Sequence, residues 1–324
     1  MIGGLIDGPV SANDGAVSAD AIVSQHLCKY AKVMVQMTTA RPHREIDRGG
    51  IKDAGQRQGT CWAAILWTAV WLFIAGTAWS ADSPTPTRAF RPGERLTFVL
   101  KWTIIPAGEA VLEVLPQEHM AGIDAYHFVL TARSNAFVDA FYMVRDRIDA
   151  WADAPMQRSL LYRKKQHEGS IRRDITVSFD WEDMTVQYTN QGEVREPIPI
   201  TAGTFDPLSI FYWSRLTNLV VGGRLQRSVT DGKKHVLGMA DVVRRETVKV
   251  PAGTFDTFLI EPDLAHVGGV FEKSPDAKIQ LWVSADHRRL PVKLKSKVIV
   301  GSFSGELVSM TGTGPLPSGN PSEE

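Results

Sequence analysis

The sequence predicts an all-β, mainly antiparallel fold: a strongly curved sheet or partly open barrel packed around one amphipathic helix at about 206–221. An N-terminal signal or anchor segment precedes it. Three observations carry this reading. From Phe90 to Met310 apolar side chains recur mostly at every second position, the repeat of strands with one buried and one wetter face. Turn residues separate these runs at short intervals. One segment switches to a three- and four-residue repeat.

In the first strand Leu96, Phe98, Leu100 and Trp102 alternate with Arg95, Thr97, Val99 and Lys101. Further strand-like runs follow at Glu109–Leu115, Tyr126–Ala132 and Val144–Trp151. Ile171, Ile175, Val177 and Phe179 then share a face with Arg173, and Thr185–Thr189 continues the pattern. Later runs are Thr247–Val250, Thr257–Glu261, Lys278–Ser284 and Phe303–Met310. Between the last two, Val292, Leu294, Val298 and Val300 alternate with Lys293, Lys295, Lys297 and Ile299. Pro106-Ala107-Gly108, Ala121-Gly122, Asn190-Gln191-Gly192, Asp231-Gly232 and Ala252-Gly253 read as turns. Charges on both faces of several strands argue against a lipid-facing outer-membrane barrel.

The helix opens at Asp206-Pro207, with Asp as N-cap and Pro at the first helical position. Leu208, Phe211, Tyr212, Arg215, Leu216, Leu219 and Val220 form the stripe, and Gly222-Gly223 is the stop signal. Arg215 lies on that stripe, half a turn out of phase with Asp206, so it needs an acceptor from a strand.

Cys61–Ala81 carries no charge, follows Lys52 and Arg57, and ends in small residues before a Pro-rich stretch. That order describes a secretory signal peptide, with cleavage expected after Ser80 and Ala78 as the nearest competitor. Because roughly 20 apolar residues also span a bilayer, a retained signal anchor is the alternative. The expected location is therefore the periplasm, or the inner membrane facing it. Residues 1–60 read as a disordered extension or an over-extended gene start, 82–89 as a linker, 90–311 as the β-rich domain and 312–324 as a disordered tail. Both cysteines, Cys28 and Cys61, precede the cleavage point, which removes disulfide, thiol and Cys-based metal chemistry from the mature chain.

The 36 basic and 36 acidic side chains give no net charge, so no nucleic-acid partner is expected. Gly301-Ser302-Phe303-Ser304-Gly305 fails as a nucleophile elbow, because Phe303 stands where the Ser must be. His119, His127, His167, His235, His266 and His287 include no helical metal pair. No phosphate-cradling glycine motif occurs. The expectation is a protein that is not an enzyme and that needs no cofactor and no metal.

Phe90–Val114 (FRPGERLTFVLKWTIIPAGEAVLEV), Asp206–Arg215 (DPLSIFYWSR), Val250–Pro262 (VPAGTFDTFLIEP) and Leu281–Leu294 (LWVSADHRRLPVKL), followed by Gly301-Ser302, resemble the bacterial envelope family named domain of unknown function 3108. The resemblance spans nearly all of Phe90–Met310. It implies an exported β-rich domain of the kind seen in curved-sheet carriers of lipids and lipoproteins, and it supplies no catalytic residues.

The expected function is binding or carrying a hydrophobic or amphipathic ligand, such as a lipid, between helix and sheet. Arg215 or Arg289 would hold a polar head, and Tyr212, Trp213 and Trp282 would line the pocket. Two alternatives stand beside it: an envelope scaffold acting through protein contacts, and a cell-wall or lipid hydrolase using carboxylates such as Glu109, Asp146 and Asp149.

Overall fold

The computed structural model of the chain describes residues 88–263, 278–298 and 301–314. The expected extension 1–60, the apolar segment 61–81, residues 82–87 of the linker and the tail beyond 314 lie outside the described residues.

In chain order the elements are β1 (Arg95–Trp102), β2 (Ile105–Met120), β3 (Ile123–Ser134), the one-turn helix α1 (Ala136–Asp139), β4 (Arg145–Asp153), β5 (Ser159–Glu168), β6 (Ile171–Asp180), β7 (Thr185–Asn190), β8 (Glu193–Val194) and β9 (Ile198–Pro199). Then come α2 (Pro207–Ser214), β10 (Arg224–Thr230), β11 (His235–Val250), β12 (Gly253–Pro262), β13 (Lys278–Ser284), β14 (Pro291–Val298) and β15 (Gly301–Thr311). The strands form one antiparallel sheet in the order β10-β11-β12-β13-β14-β15-β1-β2-β3-β4-β5-β6-β7-β8, with β9 beside β7. It is a meander whose first and last strands meet in the middle, where Leu96 faces Met310 and Trp102 faces Phe303. No ladder joins β10 to β8 among the described residues, so the sheet stays open.

Bulges bend the long strands, between Thr97 and Phe98 on β1, Leu115 and Glu118 on β2, and Val242 and Arg244 on β11. Each adds local twist and rolls the sheet toward closure. One face therefore turns inward around a main core that includes Leu96, Phe128, Ile148, Val177, Val186, Leu281 and Leu307, with Leu208, Phe211 and Tyr212 entering from α2. This is the curved, partly open barrel around a helix that the alternation predicts.

Two local expectations are corrected. The helix covers 207–214 and stops short of 221. Arg215, Leu216 and Thr217 bond back to Tyr212, Trp213 and Ser214 at three-residue steps, and the Ser214 and Thr217 hydroxyls each take a carbonyl of the last turn at 2.7 Å. Leu219 nevertheless stays in the core, so the apolar stripe continues as loop. Pro106-Ala107-Gly108 is not a turn: the chain reverses at Thr103-Ile104, and Gly108 lies inside β2. A Cβ at Gly108 would sit 2.2 Å from the Arg133 carbonyl oxygen, so glycine here permits a close approach of backbones. β5 and β10 carry no alternation that announces them, for reasons visible in the site they help form.

Candidate ligand-binding site

α2 is fixed by a buried polar clamp. The Asp206 carboxylate accepts from the Leu208 and Ser209 amides at 2.8 and 2.9 Å, the N-cap geometry that its sequence position predicts. Its other oxygen accepts from the Ser159 hydroxyl at 2.5 Å, while the Asp206 amide donates to that hydroxyl at 2.8 Å. Burial raises the pKa of this carboxyl, and the bonds from Ser159 and Ser209 oppose the rise. The same approach segment joins two strands, since Ser159 N–H donates to Thr204 O and Phe205 makes a parallel bridge with Val229.

Between α2 and β10–β13 lies an apolar cavity of about 60 Å³. Phe211, Trp213, Leu225, Ala240, Ile260 and Leu281 supply most of its wall. A second cavity of about 30 Å³ runs between β1–β3 and β13–β15, lined by Phe98, Leu100, Leu112, Leu130 and Leu294. Leu281 is a wall of both. The polar component of the larger cavity is Ser214, Gln226 and Arg227. The Arg227 guanidinium rests 5.1 Å from the Trp213 ring centre and 5.4 Å from that of Phe205. It gives one bond, 3.1 Å, to Gln157 O, and its Nε has no partner. Gly203, with φ at 76°, makes room for it: a Cβ there would stand 3.0 Å from Arg227 Nη2.

The five residues singled out in the sequence are not brought together. Trp213 lines the larger cavity. Tyr212 is fully buried and stacks on Phe128 with ring centres 3.9 Å apart. Arg215 is buried too, and forks onto Glu94 at 2.6 and 2.9 Å, while its Nη2 also reaches the Ala89 and Arg288 carbonyls. The strand-side acceptor that its position demands is thus Glu94, immediately before β1. Arg289 folds back onto the Ala285 and Asp286 carbonyls of the β13–β14 hairpin, with its guanidinium 5.4 Å from the Phe258 ring centre. Trp282 alternates with the inward Leu281 and Val283, so it lies on the outer face, where its Nε1 donates to Glu246 at 2.7 Å and Lys293 sits over its ring. The head-group candidate beside the cavity is instead Arg227, which no pattern in RLQRSVT marks.

The carboxylates separate by face. Glu109 pairs with Arg133 at 3.0 Å. Asp149 lies on the outer face, where burial opposes its ionisation but bonds from His127 and Arg147 outweigh burial and hold its pKa at about 2. His127 stacks on Trp151 and directs Nδ1 at Glu118 and Nε2 at Asp149, 2.7 and 2.9 Å away, so neither ring nitrogen is left open. Asp146 points inward on β4, 4% exposed, beside Glu168 of β5, 1% exposed. Burial first, and the Glu168 carboxylate second, push the Asp146 pKa up to about 7, against the attraction of Lys164 and the His167 amide. Neither Asp146 nor Glu168 is among the described residues lining the two cavities. Among the described residues no cluster of His, Cys, Asp or Glu is placed to hold a metal ion.

The family model described as a protein of unknown function, DUF3108, matches residues 97–308. No curated protein matches the chain. Among solved structures, the β-barrel-like protein of domain of unknown function DUF1849 from Brucella abortus is 12% identical, with 67% of this chain and 96% of that chain covered and a TM-score of 0.42. A candidate lipoprotein from Parabacteroides distasonis is 9% identical over 69% of this chain and 99% of that one, with a TM-score of 0.30. A candidate exported protein with a YmcC-like fold from Bacteroides fragilis is 12% identical over 69% and 98%, with a TM-score of 0.26. Likeness at these scores carries no argument about function.

Proposed function

The chain belongs to the DUF3108 family of proteins of unknown function, and we propose that it is a non-enzymatic, exported envelope protein that binds a hydrophobic or amphipathic ligand, such as a lipid, between α2 and the curved sheet. The observation that carries this is the apolar cavity of about 60 Å³ under Trp213, with an incompletely satisfied arginine beside it. Its present volume admits only a few methylene-sized groups. Room for an acyl chain comes from the open edge: no ladder closes β10 onto β8 among the described residues, where the backbone link from the approach of α2 to β10 is the single Phe205–Val229 bridge, so α2 and β10 can part at the cost of that bridge and not of a full ladder. Each methylene buried is worth about 0.8 kcal/mol. Arg227 would meet a phosphate or carboxylate head, since a guanidinium matches such groups in bidentate fashion.

The test is uptake of a dansyl-labelled fatty acid, read by energy transfer from tryptophan. Saturable uptake is expected from the wild-type chain. Leu281→Phe, which thickens the wall common to both cavities, should weaken it about tenfold or more by filling the space that the chain occupies. Absent uptake, or uptake unchanged in Leu281→Phe, would refute the reading. The scaffold reading draws on the outer edge of β10, which carries no full strand partner among the described residues. It predicts a stable envelope protein crosslinked at Gln226 and no fatty-acid uptake.

A further inference from the structure

One end of the barrel collects exposed apolar side chains from three connections. Asn135, at the start of α1, donates from its side chain to Pro106 O at 2.8 Å and from its backbone to Ala107 O at 3.0 Å, which seats α1 beside the β1–β2 turn. Tyr142, just beyond α1, donates its hydroxyl to Glu168 O at 2.9 Å, and Gly169 N–H donates to Met143 O at 2.8 Å, which joins the β5–β6 turn to the same end. A small cluster of Ala107, Val138 and Val144 holds α1 down. From this base Ile104 projects 83% exposed, Phe137 64%, Phe141 59%, Ile105 46% and Ile171 40%. Phe137 and Phe141 meet each other edge to face at 5.7 Å.

The charge at this end is positive on balance. Arg133 is matched by Glu109 and Arg145 by Asp139, while Asp174 faces Lys165 across the ladder. Lys278, across the ladder from Lys297, is matched by Glu261, while Glu193 on β8 and Asp263 just after β12 add two negative charges. Against them stand Arg172 and Arg173 at the start of β6, and Lys297, whose ladder partner Ser302 accepts from Thr103 N–H of the β1–β2 turn. Arg172 bonds the Gly169 and Ile171 carbonyls, so its charge is uncompensated there. The chain as a whole is neutral, so this excess is local.

We propose that this rim seats the domain on an anionic phospholipid bilayer, with Ile104, Phe137 and Phe141 entering the acyl boundary and Arg172, Arg173 and Lys297 contacting head groups. A protein interface usually offers a continuous face of about 800 Å² per partner. Here the apolar groups stand on the tips of separate connections, interleaved with cations, which a fluid interface accepts without shape complementarity. The rim requires no ligand in the interior, so it stands or falls apart from the carrier reading.

The test uses the full chain with Cys28→Ser and Cys61→Ser, reconstituted in vesicles of phosphatidylcholine with or without phosphatidylglycerol and spin-labelled lipid. A bimane is attached at Phe137→Cys or, as control, at Leu216→Cys, which follows α2 next to Arg215 and thus lies near Glu94, at the end of β1 away from the rim. Any insertion of the apolar segment is common to both, and far-ultraviolet circular dichroism checks that each folds. Lipid quenching at position 137 should exceed that at 216 by about twofold or more. It should require phosphatidylglycerol and fall in Arg172→Gln with Arg173→Gln. Equal quenching at the two sites, quenching indifferent to lipid charge, or no quenching together with a protein crosslink at 137 in native envelopes would each overturn the proposal.

Discussion

Replacing Asp146 by asparagine removes a proton-binding group from the inner wall while keeping its shape and its acceptor for the His167 amide, a 3.0 Å bond. Burial and Glu168 raise the Asp146 pKa from 3.8 to about 7. Between those two pH values the unfolded chain has lost this proton and the folded protein has kept it, so stability falls as pH rises through the window. The slope approaches about 1.4 kcal/mol per pH unit for one proton. Integrated over the shift, the ceiling is about 4 kcal/mol, reduced in practice to roughly 1–3 kcal/mol by relaxation around the charge and by the lost attraction of Lys164. The Asp146→Asn variant should therefore match or trail the wild type at pH 5 and exceed it at pH 8. Urea unfolding of both proteins at pH 5, 6, 7 and 8 measures this directly. A difference that does not change with pH, or a variant less stable at pH 8, would refute the argument that Asp146 holds a proton against Glu168.

Two further outcomes follow from the buried polar contacts. Arg215→Met leaves Glu94 buried without its fork and should cost about 3–5 kcal/mol in urea unfolding, with much of the loss recovered when Glu94→Gln is added. Asp206→Ala removes the N-cap of α2 and takes away the acceptor of the Ser159 hydroxyl proton, so a loss of about 1–2 kcal/mol or more is expected, with weakened fatty-acid uptake because the cavity wall is no longer held.

The strands that sequence patterning reveals are those whose inward face is dry. β1, with Leu96, Phe98 and Leu100 inward, is legible in a single reading. β5 is not, because Lys164, Gln166 and Glu168 occupy its inward positions beside Tyr162 and erase the alternation. β10 fails for the same reason: Arg227 shares a face with Leu225, and only the fold shows that it packs on Trp213. The helix start was readable from Asp206-Pro207, whereas its end was not, because Leu219 belongs to the core as loop and continues the apolar pattern. Arg215's need for a buried acceptor followed from one residue's place on a stripe. Its partner, Glu94, lies 121 residues away and is visible only once α2 docks onto the approach to β1.

The claim that the interior takes a lipid-like ligand is tested most directly by mass spectrometry of the full chain, expressed with its own export segment and recovered from the envelope. Native and denaturing spectra are recorded on the same sample. A reproducible adduct with the mass of an amphipathic lipid is expected, present in the native spectrum, lost on denaturation, and diminished in Leu281→Phe. A native mass equal to the denatured mass, even after incubation with envelope lipids, would contradict it.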